Sequence, residues 1–347
     1  MTIYYATYAG LLMAVVLGVQ GRDVRNALYW IVLIGMFLFS GYRYEVGCDW
    51  TGYLFHWEVW GPELGLNPWE FHEPAYWVIL DYIKANNLPY TYINLVTSAI
   101  FFLGLHVMAR TQPNPLAFIV LAFPILVINM PMSGIRQAAA IGFVTMAFVA
   151  LGARRPVVFV ALLGAGTLFH SSAMAFLLLT PFVYGRYSKR NIVLAAILAS
   201  PGAYFMLQSE PAEIASDRYI DSGLEAFGSA FRLGILTLTG LFYFGFLQKR
   251  WKQMFPEDYT LASLGSLLMV CFFPIFFVST VIGDRFGYYL IPIQLMIFTR
   301  LPYMFRGQKR ETYALAPYAL LTLVFVVWTQ LSTLFEQCYI PYGTSLF

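Results

Sequence analysis

The chain has 347 residues, of which 59% are hydrophobic and 11% charged, against roughly 25% charged residues in a typical soluble domain. This composition excludes a water-soluble globule, and a net charge of only +3 from scattered basic residues excludes a nucleic-acid-binding protein. The three cysteines, Cys48, Cys271 and Cys338, form no CxxC pair, so we predict neither a disulfide scaffold nor a thiolate zinc site.

Apolar stretches of membrane-spanning or nearly membrane-spanning length follow one another along the chain. They predict an all-α polytopic integral membrane protein with about twelve transmembrane helices, in a single transmembrane domain over residues 1–347. The first stretch has no basic region and no small-residue cleavage site, so we interpret it as a retained helix. The predicted spans are Ile3–Val19, Ala27–Gly41, Thr91–Ala109, Pro115–Met130, Gly134–Gly152, Pro156–Phe169, Ser171–Tyr184, Ile192–Leu207, Phe231–Leu247, Leu261–Ile282, Phe286–Met304 and Ala314–Leu331.

Two of these stretches, Pro156–Phe169 and Ser171–Tyr184, are short for a membrane span. They fit either a pair of helices crossing a thin or water-invaded region, or a re-entrant hairpin. The turn between them contains His170.

The charge pattern predicts how the chain is oriented. The most basic loops belong in the cytoplasm by the positive-inside rule, which leaves loops 41–90 and 208–230 on the outer face with both termini. This orientation requires that Pro74–Asn86, only about 20 Å long as a helix, does not cross a core about 30 Å thick. We predict a short outer-face interfacial helix there (74–86), with an apolar stripe that begins at Tyr76 and ends at Ile83. The predicted cytoplasmic basic residues are Arg22, Arg25, Arg110, Arg154, Arg155, Arg186, Lys189, Arg190, Lys249, Arg250, Lys252, Arg306, Lys309 and Arg310.

Arginines at the outer starts of predicted helices are the first candidate site residues. Arg136, Arg232 and Arg285 each lie at such a start. The positive dipole end of a helix disfavours an arginine unless an anion is held nearby, and arginine binds phosphate through two parallel hydrogen bonds. We therefore predict an anion site. Snorkelling, or pairing with loop acids, is the alternative for each of the three.

Acids and a histidine on the outer face supply candidate bases. Asp49 and Glu73 stand out in the first outer loop, although Glu73 also fits an acid that starts a helix and Asp49 fits an ion pair with Arg43. Histidine titrates near neutral pH, which suits a general base at His170; the alternative is a turn histidine bonded to a backbone carbonyl.

The remaining histidines and the loop tryptophans are given structural interpretations. His56 and His72 are read as loop residues, and His106, inside an apolar helix, as a packing residue. The tryptophans of the first outer loop are able to stack on sugar rings, but an interfacial aromatic belt is the preferred interpretation.

Six short segments on the predicted outer face carry a resemblance to a known family. They are YRYEVGCDWTGY (Tyr42–Tyr53), HEPAYW (His72–Trp77), GIRQAAA (Gly134–Ala140), FHSSA (Phe169–Ala173), DRY (Asp217–Tyr219) and DRFGYY (Asp284–Tyr289). Their order and spacing, from about Tyr42 to Pro292, resemble the EpsG family of exopolysaccharide polymerases, which are relatives of the Wzy-type, GT-C-like membrane glycosyltransferases. Glu45 and Cys48 depart from the family pattern, which often has a small residue and Thr or Ser there, so Glu45 is not expected to be an essential acid.

The resemblance implies a multi-pass enzyme of the bacterial inner membrane that joins undecaprenyl-pyrophosphate-linked oligosaccharide repeat units on the periplasmic or extracellular face. The product is exopolysaccharide, O antigen or capsule, made by direct, inverting attack without a metal or other cofactor. The expected partners are the lipid-linked donor and acceptor and membrane lipid, with a chain-length regulator and a flippase as candidates. The resemblance assigns pyrophosphate or substrate binding to Arg43, Arg136, Arg285, Arg218, Gln137 and Tyr53. The catalytic candidates, in order, are Glu73, His170 and Asp49, with Asp49 as an orienting partner of Arg43.

Three other functions fit parts of the sequence. An O-antigen ligase-type glycosyltransferase uses the same donor with a different acceptor, which the sequence does not reveal. A lipid-linked oligosaccharide transporter is expected to carry internal repeats and polar sites at the membrane midplane, and neither is visible. An integral membrane acyltransferase would use a histidine base but would leave the arginines without a role.

Overall fold

A computed structural model describes residues 1–184, 187–193, 195, 197, 227–274 and 280–346. In chain order the helices and strands are α1 (Thr2–Leu17), α2 (Arg22–Gly41), β1 (Arg43–Tyr44), α3 (Trp50–Val59), α4 (Pro74–Ala85), α5 (Thr91–Ala109), α6 (Pro115–Ala122), α7 (Ile135–Gly152), α8 (Pro156–Phe169), α9 (Pro181–Tyr184), α10 (Phe227–Phe242), α11 (Gln248–Met254), α12 (Tyr259–Cys271), α13 (Thr280–Arg300), α14 (Gln308–Leu331), α15 (Thr333–Tyr339) and β2 (Gly343–Thr344). Short 3₁₀ helices occupy Pro62–Leu64, Pro68–Glu70, Ser171–Leu179, Pro256–Asp258 and Leu301–Tyr303, and π-helical turns occupy Phe123–Val127 and Tyr243–Leu247.

The helical membrane class predicted from composition is confirmed. Within the described ranges, five helices are long and apolar enough to cross a membrane, and shorter apolar helices accompany them. The five are Arg22–Gly41, Thr91–Ala109, Ile135–Gly152, Ala230–Met254 and Gln308–Leu331. The count of about twelve spans stays a prediction.

The residues at helix starts explain several of the boundaries. Pro74, Pro115 and Pro156 are the first residues of α4, α6 and α8. A proline fits there because the first-turn N–H that it lacks would have no partner within the helix. Asn114 completes the start of α6, where its side chain accepts a hydrogen bond from the Ala117 N–H at 3.2 Å.

Two compact units divide the chain. The first comprises Met1–Met146, Leu162–Met174 and Phe298–Phe347. Within it α2 packs along α5 and α6, and α5 crosses α7 at Gly104 and Gly142, where a Cβ on either glycine would collide with the other backbone. These glycines therefore permit the close approach of two apolar helices.

One end of the first unit gathers the two termini and the first outer loop. The Tyr4 hydroxyl of α1 donates to the Tyr339 carbonyl of α15 at 2.9 Å, and β1 pairs antiparallel with β2. Cys48 and Cys338 form a disulfide across 290 residues of sequence. The prediction excluded a disulfide scaffold and did not foresee this single bridge, because the spacing rule that we applied detects only cysteines close in sequence.

The helix predicted over 74–86 is present as α4, which ends at Ala85. Its apolar stripe faces protein, since Tyr76, Leu80 and Ile83 are at most 2% exposed. They pack in one cluster with Tyr53, Trp60, Ile93 and Ile135. The stripe was expected to meet the membrane interface, and it instead attaches α4 to the starts of the neighbouring helices.

The short stretch after His170 is wound more tightly than an α-helix. Ser171–Leu179 forms a 3₁₀ helix, followed by α9. A 3₁₀ helix rises about 2.0 Å per residue, against 1.5 Å in an α-helix. This part of the chain therefore reaches farther than its residue count suggests.

The second unit comprises Ala147–Ala161 and Ala175–Ile297. In its described part α10 packs along α12. The hydroxyls of Tyr243 and Ser263 lie 3.0 Å apart, and Gln294 Nε2 donates to Thr239 Oγ1 at 2.8 Å. Such hydrogen bonds between side chains hold membrane helices together where apolar surface alone gives little preference for protein over lipid.

Candidate active site around Glu73 and Arg136

Three segments distant in sequence meet at one point of the first unit. Glu73 precedes α4, Arg136 lies in the first turn of α7, and His170 lies between α8 and the following 3₁₀ helix. Glu73 is common to both contacts, because its carboxylate forms an ion pair with Arg136 and lies 3.8 Å from His170 Nδ1.

Glu73 is held by groups from other elements. One carboxylate oxygen, Oε2, lies 2.8 Å from Arg136 Nη1, and the other, Oε1, accepts the Ser171 N–H at 3.0 Å. The residue is 6% exposed. Glu73 is the N-cap residue of α4, as its alternative interpretation expected, but its side chain makes no capping bond to that helix and instead contacts Arg136 and Ser171.

The backbone of Glu73 is unusual for a residue with a side chain. It is left-handed, with φ 60° and ψ 59°, and such a conformation costs on the order of 1–3 kcal/mol unless surrounding contacts enforce it. The next residue is Pro74, which disfavours the right-handed helical conformation at the residue before it. The resulting turn directs the carboxylate towards Arg136.

Two histidines approach the same carboxylate. His170 Nδ1 lies 3.8 Å and His72 Nε2 3.6 Å from Glu73 Oε1. The His72 side chain is 77% exposed and that of His170 is 14% exposed. His72 is therefore an exposed loop residue, as predicted, but its proximity to the Glu73 carboxylate was not predicted.

Serines after His170 orient its ring. Nδ1 lies 2.7 Å from Ser172 Oγ and 3.4 Å from the Ser172 backbone nitrogen. A backbone N–H only donates, so Nδ1 acts as the acceptor and the neutral ring carries its proton on Nε2. Nδ1 is therefore bonded to Ser172, while the alternative of a ring bonded to a backbone carbonyl stays open for Nε2.

Arg136 has both a charged partner and unused donors. Its guanidinium lies 5.7 Å from the ring centre of Tyr53 and 5.5 Å from that of Tyr76. Its Nε is buried without a hydrogen-bond partner among the described residues, while the side chain as a whole is 28% exposed. Gln137 follows in the same turn and is 6% exposed. The guanidinium thus lies against aromatic rings and retains donor capacity for an anion.

The two tyrosines are uncharged parts of this site. Burial raises the pKa of the Tyr53 phenol, with the Arg136 charge opposing the rise. Burial likewise raises the pKa of Tyr76. Each ring therefore stays neutral near pH 7 and presents its negative face to the guanidinium.

The expected pairing of Arg43 with Asp49 is wrong. Arg43 is fully buried and donates from Nε to the Val46 carbonyl at 3.1 Å and from Nη1 to the Ser40 carbonyl at 3.0 Å. Asp49 is exposed, and its Oδ2 lies 3.4 Å from Ser133 Oγ. The turn at Gly47, with φ 105°, separates the two side chains.

The remaining predicted arginines belong to the second unit or fall outside the described residues. Arg285 is on α13 in the second unit, where it is exposed. Its neighbour Asp284 accepts two hydrogen bonds from Arg232, at 2.7 and 2.6 Å, so Arg232 is paired with an acid, although that acid lies on α13 and not in a loop. Arg218 lies outside the described residues.

The aromatic residues of the first outer loop pack against one another. Trp60 is 4% exposed and its Nε1–H donates to Asp81 Oδ1 at 3.0 Å. Trp77 lies 5.0 Å from Trp60 and 4.9 Å from His56 between ring centres. These residues form a local core beneath the site, which neither the belt nor the sugar-stacking interpretation anticipated.

Sequence reasoning singled out Glu73, His170 and Arg136 but missed their supporting groups. Ser171 and Ser172 lie beside His170, and the available signal was their place in the FHSSA segment. The packing interpretation of His106 is confirmed, because its Nδ1 lies 2.7 Å from the Tyr29 hydroxyl.

The family model described as the EpsG family covers residues 26–344. No curated protein and no solved structure shows significant similarity to the chain. The matched range includes Glu73, Arg136 and His170 together with both cysteines of the disulfide.

Proposed function

The chain belongs to the EpsG family, and on that premise we propose that it polymerises exopolysaccharide from repeat units carried on undecaprenyl pyrophosphate. The observation that carries this proposal is the buried Glu73–Arg136 pair with His170 beside it. It combines a carboxylate with an arginine that has further donors, which are the groups required to activate a hydroxyl and to stabilise a departing phosphate.

The disulfide supports an outer location for this site. Cys48 is bonded to Cys338, and its sequence neighbour Asp49 contacts Ser133, three residues before Arg136. Disulfides form and persist in oxidising compartments such as the periplasm. We therefore propose that the site faces the periplasmic or extracellular side of the bacterial inner membrane, in agreement with the charge pattern of the loops.

The proposed reaction is one displacement at a sugar carbon. The acceptor hydroxyl, at the non-reducing end of one lipid-linked glycan, forms a bond to the anomeric carbon of the other. The bond from that carbon to the pyrophosphate oxygen breaks, and its electron pair goes to the pyrophosphate. The hydroxyl proton goes to Glu73 and then to solvent. Direct attack inverts the configuration of the anomeric carbon.

Arg136 links donor binding to the base in this scheme. In the free protein it pairs with Glu73 at 2.8 Å. A pyrophosphate oxygen competes for the same guanidinium, because arginine forms bidentate bonds with phosphate. As the guanidinium turns to the pyrophosphate, a lone pair of Glu73 opens to the acceptor hydroxyl. Donor binding thereby prepares the carboxylate for proton transfer.

The other polar residues take supporting roles. His170 carries its neutral-state proton on Nε2, so we assign it to hydrogen bonding with substrate, and to proton acceptance only as the second candidate. Arg285 is proposed as a further pyrophosphate ligand. Arg43, which is fully buried against backbone carbonyls, is assigned to holding the first outer loop.

Reconstitution tests the proposed function. The purified chain in phosphatidylethanolamine–phosphatidylglycerol liposomes receives one undecaprenyl-pyrophosphate oligosaccharide as its only substrate. We expect a ladder of products longer by whole repeat units, formed also in excess EDTA because arginines supply the positive charge. Transfer of glycan across the bilayer without new bonds would indicate a transporter. Loss of the ladder in EDTA, restored by one divalent ion, would contradict the metal-free mechanism.

A further inference from the structure

A polar cavity lies at the N-terminal end of α2, and the proposed polymerase reaction does not use it. Its volume is about 360 Å³, and its walls come from the start of α2, the segment after α5 and the start of α6. Pockets that bind small ligands span roughly 300–1,000 Å³. The cavity therefore has room for a headgroup-sized ligand.

The charge of the cavity is strongly one-sided. Arg22, Arg25 and Arg110 line it, against Asp23 as the acidic lining residue. Among the described residues, none of these arginines forms an ion pair or has a hydrogen-bonded partner for its guanidinium. Three guanidiniums around one cavity repel one another, so an anion between them would lower their energy.

Backbone donors add to this attraction. The helix α2 begins at Arg22, and Gly21 before it supplies no side-chain cap. The first-turn N–H groups and the positive end of the helix dipole therefore remain available beside the arginines. Asn26 and the largely buried Gln112 complete the polar wall.

Exposed apolar side chains follow the cavity-lining residues along α2. Along α2, next to the lining residue Tyr29, Trp30 is 43% exposed, Ile31 66% and Ile34 52%. In a helical membrane protein such side chains face acyl chains. An anion held by Arg25 and Arg110 would thus lie where hydrocarbon chains run along the helix.

We infer that this cavity binds the phosphate-bearing headgroup of an anionic membrane lipid. Basic pockets between membrane helices hold anionic headgroups through the same combination of arginines and adjoining apolar surface. The ligand chemistry is a phosphate ester with attached acyl chains. A soluble phosphate would satisfy the guanidiniums but leave the apolar surface without a role.

Lipid titration of the purified protein tests the inference. The delipidated protein in a neutral detergent is titrated separately with phosphatidylglycerol, phosphatidylcholine and inorganic phosphate, and bound lipid is counted by native mass spectrometry alongside the shift in Tm. We expect phosphatidylglycerol to bind at least about tenfold more tightly than phosphatidylcholine, because charge-assisted hydrogen bonds are strong. Inorganic phosphate should not compete at equal concentration.

Paired variants assign the binding to the cavity. Arg25→Gln with Arg110→Gln should weaken phosphatidylglycerol binding about tenfold or more. The charge-matched control, Arg306→Gln with Lys309→Gln, changes exposed residues of another basic loop and should bind as the wild type does. Arg25→Lys with Arg110→Lys keeps the charge and should bind phosphatidylglycerol with intermediate affinity. If Arg25→Gln with Arg110→Gln does not fold, the lysine substitutions alone test whether the cavity binds the lipid.

Three results would overturn the inference. They are unchanged phosphatidylglycerol binding in both cavity variants, equal binding of phosphatidylcholine by the wild type, and displacement of phosphatidylglycerol by equimolar inorganic phosphate. The last result would indicate a soluble phosphate ligand. Equal weakening by the Arg306 and Lys309 control would likewise show that net charge, and not this cavity, attracts the lipid.

Discussion

The two ends of α2 use arginine in opposite ways. Beyond its C-terminal end, Arg136 is paired with a buried carboxylate and lies against two aromatic rings. At its N-terminal end, Arg22, Arg25 and Arg110 surround an open cavity and have no described acidic partner. The helix has 20 residues, so about 30 Å separates its ends. The two regions therefore differ in what their arginines contact, although both contain arginine.

The difference shows what each end is built to do. A paired arginine can exchange its partner when a substrate arrives, and the carboxylate it leaves becomes available for chemistry. Unpaired arginines at a membrane boundary attract an anion without releasing any reactive group. We therefore place turnover at the disulfide-linked end and lipid attachment at the other.

The largest effect is expected from Glu73→Gln. The amide retains the shape of the side chain but cannot accept a proton, so polymer formation should fall by about a hundredfold or more, without recovery at higher pH. Polymer is measured by gel at matched expression. Glu70→Gln is the control, because Glu70 is an exposed acid of the same loop that bonds only Asn67 among the described residues. Wild-type activity in Glu73→Gln together with an inactive His170→Ala would make His170 the base.

A smaller loss is expected from Arg136→Lys. Lysine keeps the charge but lacks the fork that grips two phosphate oxygens, so the rate at low donor concentration should fall about tenfold to a hundredfold. Initial rates are compared across donor concentrations, with Arg306→Lys as the matched control. Arg285→Lys should also lose activity if that residue binds pyrophosphate. Near-wild-type rates in both site variants would contradict an arginine clamp.

Breaking the disulfide should lower the thermal stability of the protein and reduce its activity only several-fold. Cys48→Ser removes the bridge that joins the first outer loop to the C-terminal segment, and native disulfides typically contribute about 2–4 kcal/mol. We expect a lower Tm in thermal unfolding of the purified protein and a several-fold loss of activity. Cys271→Ser is the control, because Cys271 is a free cysteine. Equal Tm values for the two variants would show that the bridge does not hold the site region.

The smallest effect concerns pH and His56. Burial lowers the pKa of His56 from about 6.5, and the Arg136 charge lowers it further. The unfolded chain therefore protonates His56 more readily than the folded chain does. Protonation of His56 thus favours unfolding, so with respect to His56 the folded protein is most stable above about pH 6.5 and loses stability as the pH falls. Part of the Tm difference between pH 7.5 and 5.5 should disappear in His56→Phe but remain in His72→Gln. An undiminished difference in His56→Phe would contradict this.

Local patterns predicted local features of the chain. Apolar runs identified the membrane helices, and the stripe from Tyr76 to Ile83 identified α4. The order of the quoted segments indicated the family that the match over residues 26–344 confirms. Each of these signals is carried by residues close together in sequence, or by segments in a recognisable order.

Partners across the fold were not predictable in the same way. Glu73 and Arg136 were chosen separately, since no sequence rule places a loop acid on the first turn of a helix far along the chain. The left-handed turn at Glu73 and the bridge from Cys48 to Cys338 depend on tertiary packing. For the same reason we predicted that Asp49 pairs with Arg43, its near neighbour in sequence, whereas in the structure Asp49 contacts Ser133.

Glu73 and Arg136 are proposed to act as one unit, and a double-mutant cycle distinguishes this from independent action. Single-turnover formation of the first new glycosidic bond is measured with radiolabelled lipid-linked oligosaccharide for wild type, Glu73→Gln, Arg136→Lys and the double variant. If the guanidinium acts by exchanging Glu73 for pyrophosphate, the losses will not multiply, and the double variant will be within about threefold of Glu73→Gln. Losses that multiply fully would show that the two residues act independently and that donor binding does not release Glu73 from Arg136.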